Sequence, residues 1–326
     1  METYELHTSG STGTPKTIVV ERERMEASAR MTADFLGLTS ADTALLCMPT
    51  RYIAGMMMVV RAEVVGMRLL RVPPSHHPLA QLTEVPTFAA MVPSQVYETL
   101  RVPAEREMFQ KIRHVIIGGG GLDAGLEAEL RTLPNHVWHS YGMTETLSHI
   151  ALRPISPEWC GTFRPLPGIR VEQDAEGCLV IDAPHLCAQR LFTHDLVEFH
   201  QDGSFRILGR KDNVICSGGI KIQIEEVEAA LRPALGDNIQ VTSVPHPKFG
   251  QAVVLLTTLT DSKESLSSLL RQLLPNPYWM PRHILYVPEL PRTETGKPDR
   301  AKARAMAGES LEFIVHSWEV IGYRKG

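Results

Sequence analysis

The residues His114-Val115-Ile116-Ile117-Gly118-Gly119-Gly120-Gly121 carry the pattern that decides the fold. A short apolar run that ends in a glycine turn is typical of a buried strand that ends in a turn at the edge of its sheet. Apolar runs at 44–48, 68–72 and 88–92 have the same character, and helix-like stretches at 54–65 and 95–100 separate them. This alternation predicts an α/β fold in which helices cover a largely parallel sheet.

The pattern changes twice further along the chain. Between residues 177 and 208, short strands with turns between them predict a small antiparallel sheet. After Gly209 we predict an α+β unit with helices at 223–231 and 263–274 and strands at 239–244, 252–259 and 283–287. We therefore predict a layered α/β domain over residues 1–209 and a smaller α+β domain over residues 210–326.

Composition narrows the class of protein. The chain has 326 residues, 43% of them hydrophobic, and a net charge of -4. No overall basic field favours nucleic acid as a partner. The five cysteines include no CxxC pair, so neither a disulfide framework nor a zinc site is expected. The first residues resemble no secretory leader, and the apolar run from residue 53 is interrupted by Arg61. We expect a cytoplasmic protein that does not insert into a membrane.

Near its beginning the chain reads Thr8-Ser9-Gly10-Ser11-Thr12-Gly13-Thr14-Pro15-Lys16. The two glycines let the backbone approach an anion, the hydroxyls donate hydrogen bonds, and Lys16 adds a positive charge. Such a loop suits a triphosphate. It is not a Walker A loop, because Pro15 separates the glycines from Lys16. A flexible polar segment is the alternative that composition alone favours.

This loop resembles the phosphate loop of the adenylate-forming enzymes, the family of acyl- and aryl-CoA synthetases. Other segments resemble motifs of that family in the same order. They are Gly118–Gly121, His139–Glu145, Thr193–Asp195, Gly209–Asp212, Cys216–Lys221 and Pro291–Lys297. The resemblance implies a mobile C-terminal domain. It also implies ATP and CoA as cosubstrates and Mg²⁺ as a cofactor.

The resemblance also implies a role for individual residues. Ser9, Gly10, Ser11, Thr12, Gly13 and Lys16 would bind the phosphates, and Gly119, Gly120, Tyr141, Gly142, Asp195 and Arg210 would bind the rest of ATP. Thr144, Glu145 and Lys297 would be catalytic, and Glu145 would be the magnesium ligand. Asp212 would be the hinge, and Gly218, Gly219 and Lys221 would contact CoA. Where members usually have tyrosine and proline, this chain has Gln223 and Ile224.

Two passages resemble the branch of the family that activates an aromatic dicarboxylate. One is Tyr141–Ile150, which includes Ser148, and the other is Pro49–Gly55 with the following Arg61. Tyr52, Arg61 and Ser148 would then bind the small-molecule acid. A charge inside an apolar helix requires a partner, and the second carboxylate of the substrate could be that partner. A salt bridge to Glu63 or another acid, or snorkelling to solvent, is the alternative reading of Arg61.

Three functions follow from these observations. The first is an ATP-dependent acid–CoA ligase. The second is another adenylating enzyme, such as an aryl-acid ligase or a domain that loads a carrier protein. The third is a non-catalytic nucleotide-binding remnant, because only seven residues precede Thr8 where members of the family carry a further subdomain. The identity of the acid, the details of the CoA site and the oligomeric state are not fixed by the sequence.

Overall fold

The computed structural model describes residues 2–7, 17–122, 124–260, 262–293 and 296–320. The chain divides into two compact units. Among the described residues, the first unit comprises 2–7, 17–193 and 197–207, and the second comprises 194–196 and 208–320 with the gaps given above.

Helices and strands alternate through the first part of the chain. The strands up to residue 165 are β1 (Thr3–His7), β2 (Thr17–Glu21), β3 (Thr43–Leu46), β4 (Arg68–Arg71), β5 (Phe88–Met91), β6 (His114–Ile117), β7 (His136–Gly142), β8 (His149–Ser156) and β9 (Arg164–Pro165). The helices are α1 (Arg22–Leu36), α2 (Ile53–Val65), α3 (Pro93–Arg101), α4 (Pro103–Lys111) and α5 (Ala124–Leu130). Helices α1 and α2 end at glycines with left-handed backbone, Gly37 and Gly66, a common way to close a helix.

A seven-stranded sheet organises this region, in the order β4-β3-β5-β6-β7-β8-β9. The first five strands of that order are parallel, and β8 and β9 are antiparallel to their neighbours. Apolar side chains from both faces of the sheet form two core clusters, one around Phe109 and one around Phe88. The strand order reverses between β3 and β5, and in open α/β sheets ligands bind beyond the carboxyl ends of the strands near such a reversal.

Four further strands form a separate sheet in the order β10-β11-β12-β13. They are β10 (Arg170–Gln173), β11 (Cys178–Asp182), β12 (Leu191–Phe199) and β13 (Phe205–Arg210). Strands β10 and β11 pair antiparallel. This sheet is the small antiparallel one that the turn-rich sequence predicts.

The second unit has its own sheet and core. Its elements are β14 (Val214–Ser217), β15 (Ile220–Gln223), α6 (Ile224–Leu235), β16 (Ile239–His246), β17 (Gly250–Thr257), α7 (Lys263–Leu273), β18 (His283–Tyr286) and α8 (Arg300–Val320). The sheet order is β15-β14-β17-β16, and β18 pairs parallel with β17. Helices α6 and α7 contribute Leu231 and Leu270 to a core on one face of this sheet, and Ala303 and Ala307 of α8 belong to a second cluster.

The mixed α/β class is confirmed, and every predicted strand and helix is present within a few residues of its predicted bounds. Among the described residues, no helix is both long and apolar enough to cross a bilayer. The division at residue 209 stays a prediction.

Candidate active site

Two of the predicted site segments follow parallel strands of the large sheet. The glycine turn follows β6, and Gly119 has a left-handed backbone with φ of 80°. His139, on the neighbouring strand β7, has Nε2 at 3.0 Å from the carbonyl oxygen of Gly120. Ser140 donates to the carbonyl oxygen of Ile117 at 3.2 Å. The end of β7 therefore fixes the glycine turn, which contains the predicted ATP-binding residues Gly119 and Gly120.

The sequence did not indicate what holds His139 itself. Its Nδ1 lies 3.1 Å from Nη2 of Arg153, which can only donate, so Nδ1 accepts and Nε2 donates to Gly120. Burial and then the charge of Arg153 lower the pKa of His139 to about 4, so the ring is neutral at pH 7. Glu127 accepts from both terminal nitrogens of Arg153, at 3.0 and 2.6 Å. The ion pair of Glu127 and Arg153 therefore supports His139, which in turn contacts the glycine turn.

The nucleotide motif continues through a tight connection between β7 and β8. A Cβ atom at Gly142 would lie 2.2 Å from the carbonyl oxygen of Ser148, so only glycine fits there. Thr144–Thr146 form one turn of 3₁₀ helix, and Glu145 is exposed. The ring of Tyr141 is buried and lies edge-on to Phe205, with centroids 5.7 Å apart.

Leu147 has an unusual backbone in this connection. Its φ is 63°, the one positive value at a non-glycine position in the described part of the chain. Left-handed backbone is costly for a residue with a Cβ atom and persists where the surroundings enforce it, often at functional sites. Leu147 is also buried, and Ser148 follows it directly. The strained backbone at Leu147 therefore indicates that the fold constrains the position of the next residue, Ser148.

Arg61 and Ser148 are brought together. Arg61 is 3% exposed, and its Nη2 donates to Oγ of Ser148. Nε of Arg61 is buried and has no hydrogen-bond partner among the described residues. Burial lowers the pKa of the Arg61 guanidinium to about 10, which leaves it charged at pH 7.

Glu63 does not supply the anion that the salt-bridge reading of Arg61 requires. Its carboxylate accepts from Arg22 at 3.0 Å instead. Residues 61 and 63 are two apart on α2 and point in different directions, because helix neighbours lie three or four residues apart. Within the described ranges no other carboxylate pairs with Arg61, and 3% exposure excludes snorkelling. Among the described residues, the guanidinium is a buried cation with no counterion.

Tyr52 lies at the start of the same helix, beyond the carboxyl end of β3. It is half-buried, and the guanidinium of Arg51 covers its ring at 4.7 Å. A Cβ atom at Gly55 would lie 2.4 Å from the carbonyl oxygen of Pro49, so the segment before α2 folds closely onto the helix. This segment therefore has a fixed shape beside the reversal in strand order.

In the second unit, the structure brings three predicted residues into one ion-pair group. Arg210 donates to Asp195 at 3.0 Å and to Asp212 at 2.9 Å. His194 Nδ1 lies 2.6 Å from the other carboxylate oxygen of Asp212. Burial raises the pKa of Asp212, but the hydrogen bonds from His194 and Arg210 outweigh it, and the net pKa is lowered. Asp212 is therefore ionised and held on both oxygens.

Gln223, where the family pattern differs, is a further part of this group. Its side-chain amide donates to the carbonyl oxygen of Arg210 at 3.0 Å and also to Glu225. A Cβ atom at Gly209 would lie 2.3 Å from Nε2 of Gln223. Gly209 and Gln223 therefore fit each other, and the amide fixes the backbone on which Arg210 stands.

Thr293 and Lys297, on the two sides of residues 294 and 295, are hydrogen-bonded to each other. Thr293 donates its backbone N–H to the carbonyl oxygen of Lys297 at 2.8 Å, and Lys297 N–H donates to Oγ1 of Thr293 at 3.2 Å. Gly296 has φ of 79°, which allows the turn. Burial and then the charge of Arg210 lower the pKa of Lys297. Two cations of the predicted site thus influence each other electrostatically.

The predicted CoA residues lie in a hairpin of the second unit. Gly218 and Gly219 both have positive φ, 60° and 83°, which suits the two-residue turn between β14 and β15. Lys221 is exposed on β15. The turn also bonds to the neighbouring loop, because Gly218 N–H donates to the carbonyl oxygen of Phe249 at 2.8 Å. The predicted phosphate loop, with Ser9, Gly10, Ser11, Thr12, Gly13 and Lys16, lies outside the described residues.

Comparison with protein families agrees with these motifs. Residues 3–184 match the family described as AMP-binding enzyme, and residues 226–297 match the AMP-binding enzyme C-terminal domain. The chain belongs to the AMP-binding enzyme family. The resemblance to adenylate-forming enzymes is confirmed, and Lys297 is the last residue of the second match.

Individual relatives are similar over most of this chain. A 2-succinylbenzoate–CoA ligase of Bacillus velezensis is 28% identical, and the similarity covers 90% of this chain and 66% of the relative. The chain thus spans about two thirds of the length of that curated relative. A solved acyl-CoA synthetase (AMP-forming)/AMP-acid ligase II-like protein of Dyadobacter fermentans is 36% identical. Its TM-score is 0.61, with 92% of this chain and 88% of that chain covered.

A third comparison concerns the fold alone. The o-succinylbenzoate CoA synthetase of Bacillus subtilis, solved with its acyl-adenylate OSB-AMP, is 24% identical with a TM-score of 0.79. The similarity covers 92% of this chain and 68% of that chain.

Proposed function

We propose that this chain is an AMP-forming acid–CoA ligase whose acid is o-succinylbenzoate. Family membership supports the reaction class, and the similarity to 2-succinylbenzoate–CoA ligases supports the substrate. The observation that carries the substrate is Arg61, a buried cation without a carboxylate partner in the described part of the chain. o-Succinylbenzoate has two carboxylates, of which one is activated and the other requires a partner.

The reaction has two halves. In the first, an oxygen of the substrate carboxylate attacks the α-phosphorus of ATP, and the bond to pyrophosphate breaks. In the second, the CoA thiolate attacks the acyl carbonyl, a thioester forms, and AMP leaves with the bonding electron pair. Lys297, whose pKa is lowered by burial and then by the charge of Arg210, is proposed to stabilise the negative charge that develops as pyrophosphate leaves.

The remaining residues have binding roles in this proposal. Gly119, Gly120, Tyr141, Gly142, Asp195 and Arg210 would contact the nucleotide, and the loop of Ser9–Lys16 would hold the phosphates. Tyr52, Arg61 and Ser148 would hold the acid, and Gly218, Gly219 and Lys221 would contact CoA. Residues 1–209 would then be the adenylation core, and 210–326 a mobile domain with Asp212 as its hinge.

Magnesium fits the proposed site through Glu145. Glu145 is exposed beyond β7, and its hard carboxylate oxygens suit Mg²⁺. No group of three or more metal-binding side chains occurs in the described ranges. A single protein carboxylate agrees with a Mg²⁺ ion that keeps phosphate oxygens and waters as its other ligands. When bound, the ion would neutralise phosphate charge.

Acid-dependent ATP–pyrophosphate exchange tests this proposal. A panel of aromatic and aliphatic acids is assayed, and thioester formation is then measured with and without CoA. We expect exchange with o-succinylbenzoate and a CoA-dependent thioester. Exchange with other acids only would overturn the substrate, and transfer to a carrier protein instead of CoA would indicate another adenylating enzyme. ATP binding without exchange for any acid would leave a non-catalytic nucleotide-binding protein.

A further inference from the structure

A buried chain of hydrogen bonds connects Arg61 on α2 to the backbone of α1. Oγ of Ser148 accepts from Arg61 and lies 3.1 Å from Nδ1 of His149. Nε2 of His149 lies 3.0 Å from Oγ1 of Thr32. Thr32 in turn donates to the carbonyl oxygen of Ser28 at 3.1 Å. His149 and Thr32 are 6% and 0% exposed, so water does not compete for these bonds.

Donor and acceptor chemistry gives this chain a direction. A guanidinium only donates, so the oxygen of Ser148 must accept from Arg61. Thr32 has one hydroxyl proton, which it gives to the carbonyl of Ser28, so its oxygen is left to accept from Nε2–H of His149. Nδ1 is then the unprotonated nitrogen, and it accepts the hydroxyl proton of Ser148.

Electrostatics favours the same direction. The positive charge of Arg61 lies on the Ser148 side of the imidazole ring, so it attracts the lone pair of Nδ1 and repels an N–H dipole at that position. Burial and then the charge of Arg61 hold the pKa of His149 well below its usual range. The ring is therefore neutral and carries one proton.

We propose that His149 and Thr32 are positioning residues for acid selectivity: they fix the Ser148 hydroxyl with its oxygen toward Arg61 and thereby aim the guanidinium at the second carboxylate of the substrate. This inference rests on the proposed function. The reason is geometric, since a single bond to a freely rotating hydroxyl would not orient an arginine, whereas a hydroxyl held by further buried hydrogen bonds does.

Thr32 offers the sharpest test, because it is three hydrogen bonds away from the guanidinium and does not contact it. Thr32→Val keeps the shape and removes the acceptor for Nε2–H, whereas Thr32→Ser keeps the hydroxyl. Ser28→Ala is the matched control on the same buried face of α1, because the Ser28 hydroxyl has no hydrogen-bond partner among the described residues.

We expect Thr32→Val to raise KM for o-succinylbenzoate by roughly threefold to tenfold, the effect of one hydrogen bond. KM for ATP and for a mono-acid analogue should stay unchanged, and Thr32→Ser and Ser28→Ala should behave like the wild type. An equal rise in KM for both acids, or the same rise in Ser28→Ala, would overturn the positioning role.

A second measurement does not depend on activity. In protein labelled with ¹⁵N-histidine, the signals of His149 are assigned by their loss in His149→Gln, and their shifts report which ring nitrogen is protonated. We expect Nε2–H in the wild type. A proton on Nδ1 would reverse the chain and overturn the proposal even if o-succinylbenzoate is the substrate. If no acid drives exchange, the proposed function fails, and the tautomer still decides the direction of the hydrogen bonds.

Discussion

Arg210 and Asp195, which lie fifteen residues apart in the sequence, form an ion pair with Nη1 at 3.0 Å from Oδ1. Both are predicted to bind the ribose and phosphates of ATP. The other terminal nitrogen of Arg210 lies 2.9 Å from Asp212, the predicted hinge. With the proposed roles, a conformational change at Asp212 would change the partners of Arg210, so hinge motion and nucleotide binding would be coupled.

The first prediction concerns Asp212. Asp212→Pro should impair thioester formation from a pre-made adenylate more than it impairs adenylate formation. Proline fixes φ near -65° and disfavours helical backbone at the preceding Lys211, which belongs to a 3₁₀ turn here. The two half-reactions are measured separately, by pyrophosphate exchange and by thioester yield.

Asp212→Ala is the control for this prediction. It removes the ion pairs with Arg210 and His194 but leaves the backbone free. We expect it to affect both half-reactions modestly, since surface ion pairs contribute little, about 0–1 kcal/mol. Equal losses in both halves for Asp212→Pro, or the same profile in Asp212→Ala, would show that Asp212 is not a pivot.

The second prediction concerns Lys297. Lys297→Ala should slow adenylate formation by about two orders of magnitude or more, which is the scale of losing one transition-state donor. Thioester formation from the adenylate should be much less affected. Lys302→Ala, at an exposed lysine of α8, is the control and should leave both rates unchanged. Unaltered pyrophosphate exchange in Lys297→Ala would remove this residue from the mechanism.

The third prediction concerns stability in acid. Burial raises the pKa of Glu127, but hydrogen bonds from Arg153, Arg131 and Trp159 outweigh it, and the pKa falls from 4.5 to about 2. Because the folded pKa lies below the unfolded one, this contribution is fully present above pH 4.5 and is lost as pH falls toward 2. A lowering of two to three pKa units corresponds to a contribution of about 3 kcal/mol to the free energy of unfolding.

Urea unfolding at neutral pH and at about pH 3 tests this prediction. Glu127→Gln should lower the free energy of unfolding at neutral pH and should flatten its decline in acid. Glu107→Gln is the control, because Glu107 is exposed and, among the described residues, pairs only with Lys111 across one helical turn. If the free energy of unfolding declines equally steeply in acid for Glu127→Gln and for the wild type, Glu127 does not contribute to the stability of the protein in this way.

The sequence predicted the central strands of the large sheet well because they are buried on both faces. Strands β3, β5 and β6 appear as short apolar runs, and this pattern needs no tertiary information. Helix α1 is not predicted from the sequence, because its buried face consists largely of small or polar residues, among them Ser28, Ala29 and Thr32. A face of this kind gives little hydrophobic periodicity.

The same limit applies to the candidate site. Motif order identified the family and pointed to Arg61 and Ser148, but spacing does not show contacts between distant segments. His149, 117 residues after Thr32, and Arg153 beneath His139 act through such contacts. The only sequence signal for either residue was a polar side chain within the apolar strand β8, which indicates a buried partner.

The last prediction concerns Arg61. It distinguishes a substrate-binding role from a structural role by the direction of two effects, one on the melting temperature and one on substrate binding. A buried arginine without a counterion destabilises the free protein, because its charge is desolvated without compensation. Arg61→Leu should therefore leave the melting temperature unchanged or raise it. The same change should weaken binding of o-succinylbenzoate by roughly 2–3 kcal/mol, since a charge-assisted bond to the second carboxylate is lost. KM for ATP should not change, and a mono-acid analogue, a poor substrate of the wild type, should lose little more. Arg61→Lys, which keeps the charge but not the planar fork, should be intermediate. A lower melting temperature together with equal losses for the mono-acid and the di-acid would make Arg61 a structural residue, and the choice of acid would then depend on the relatives alone.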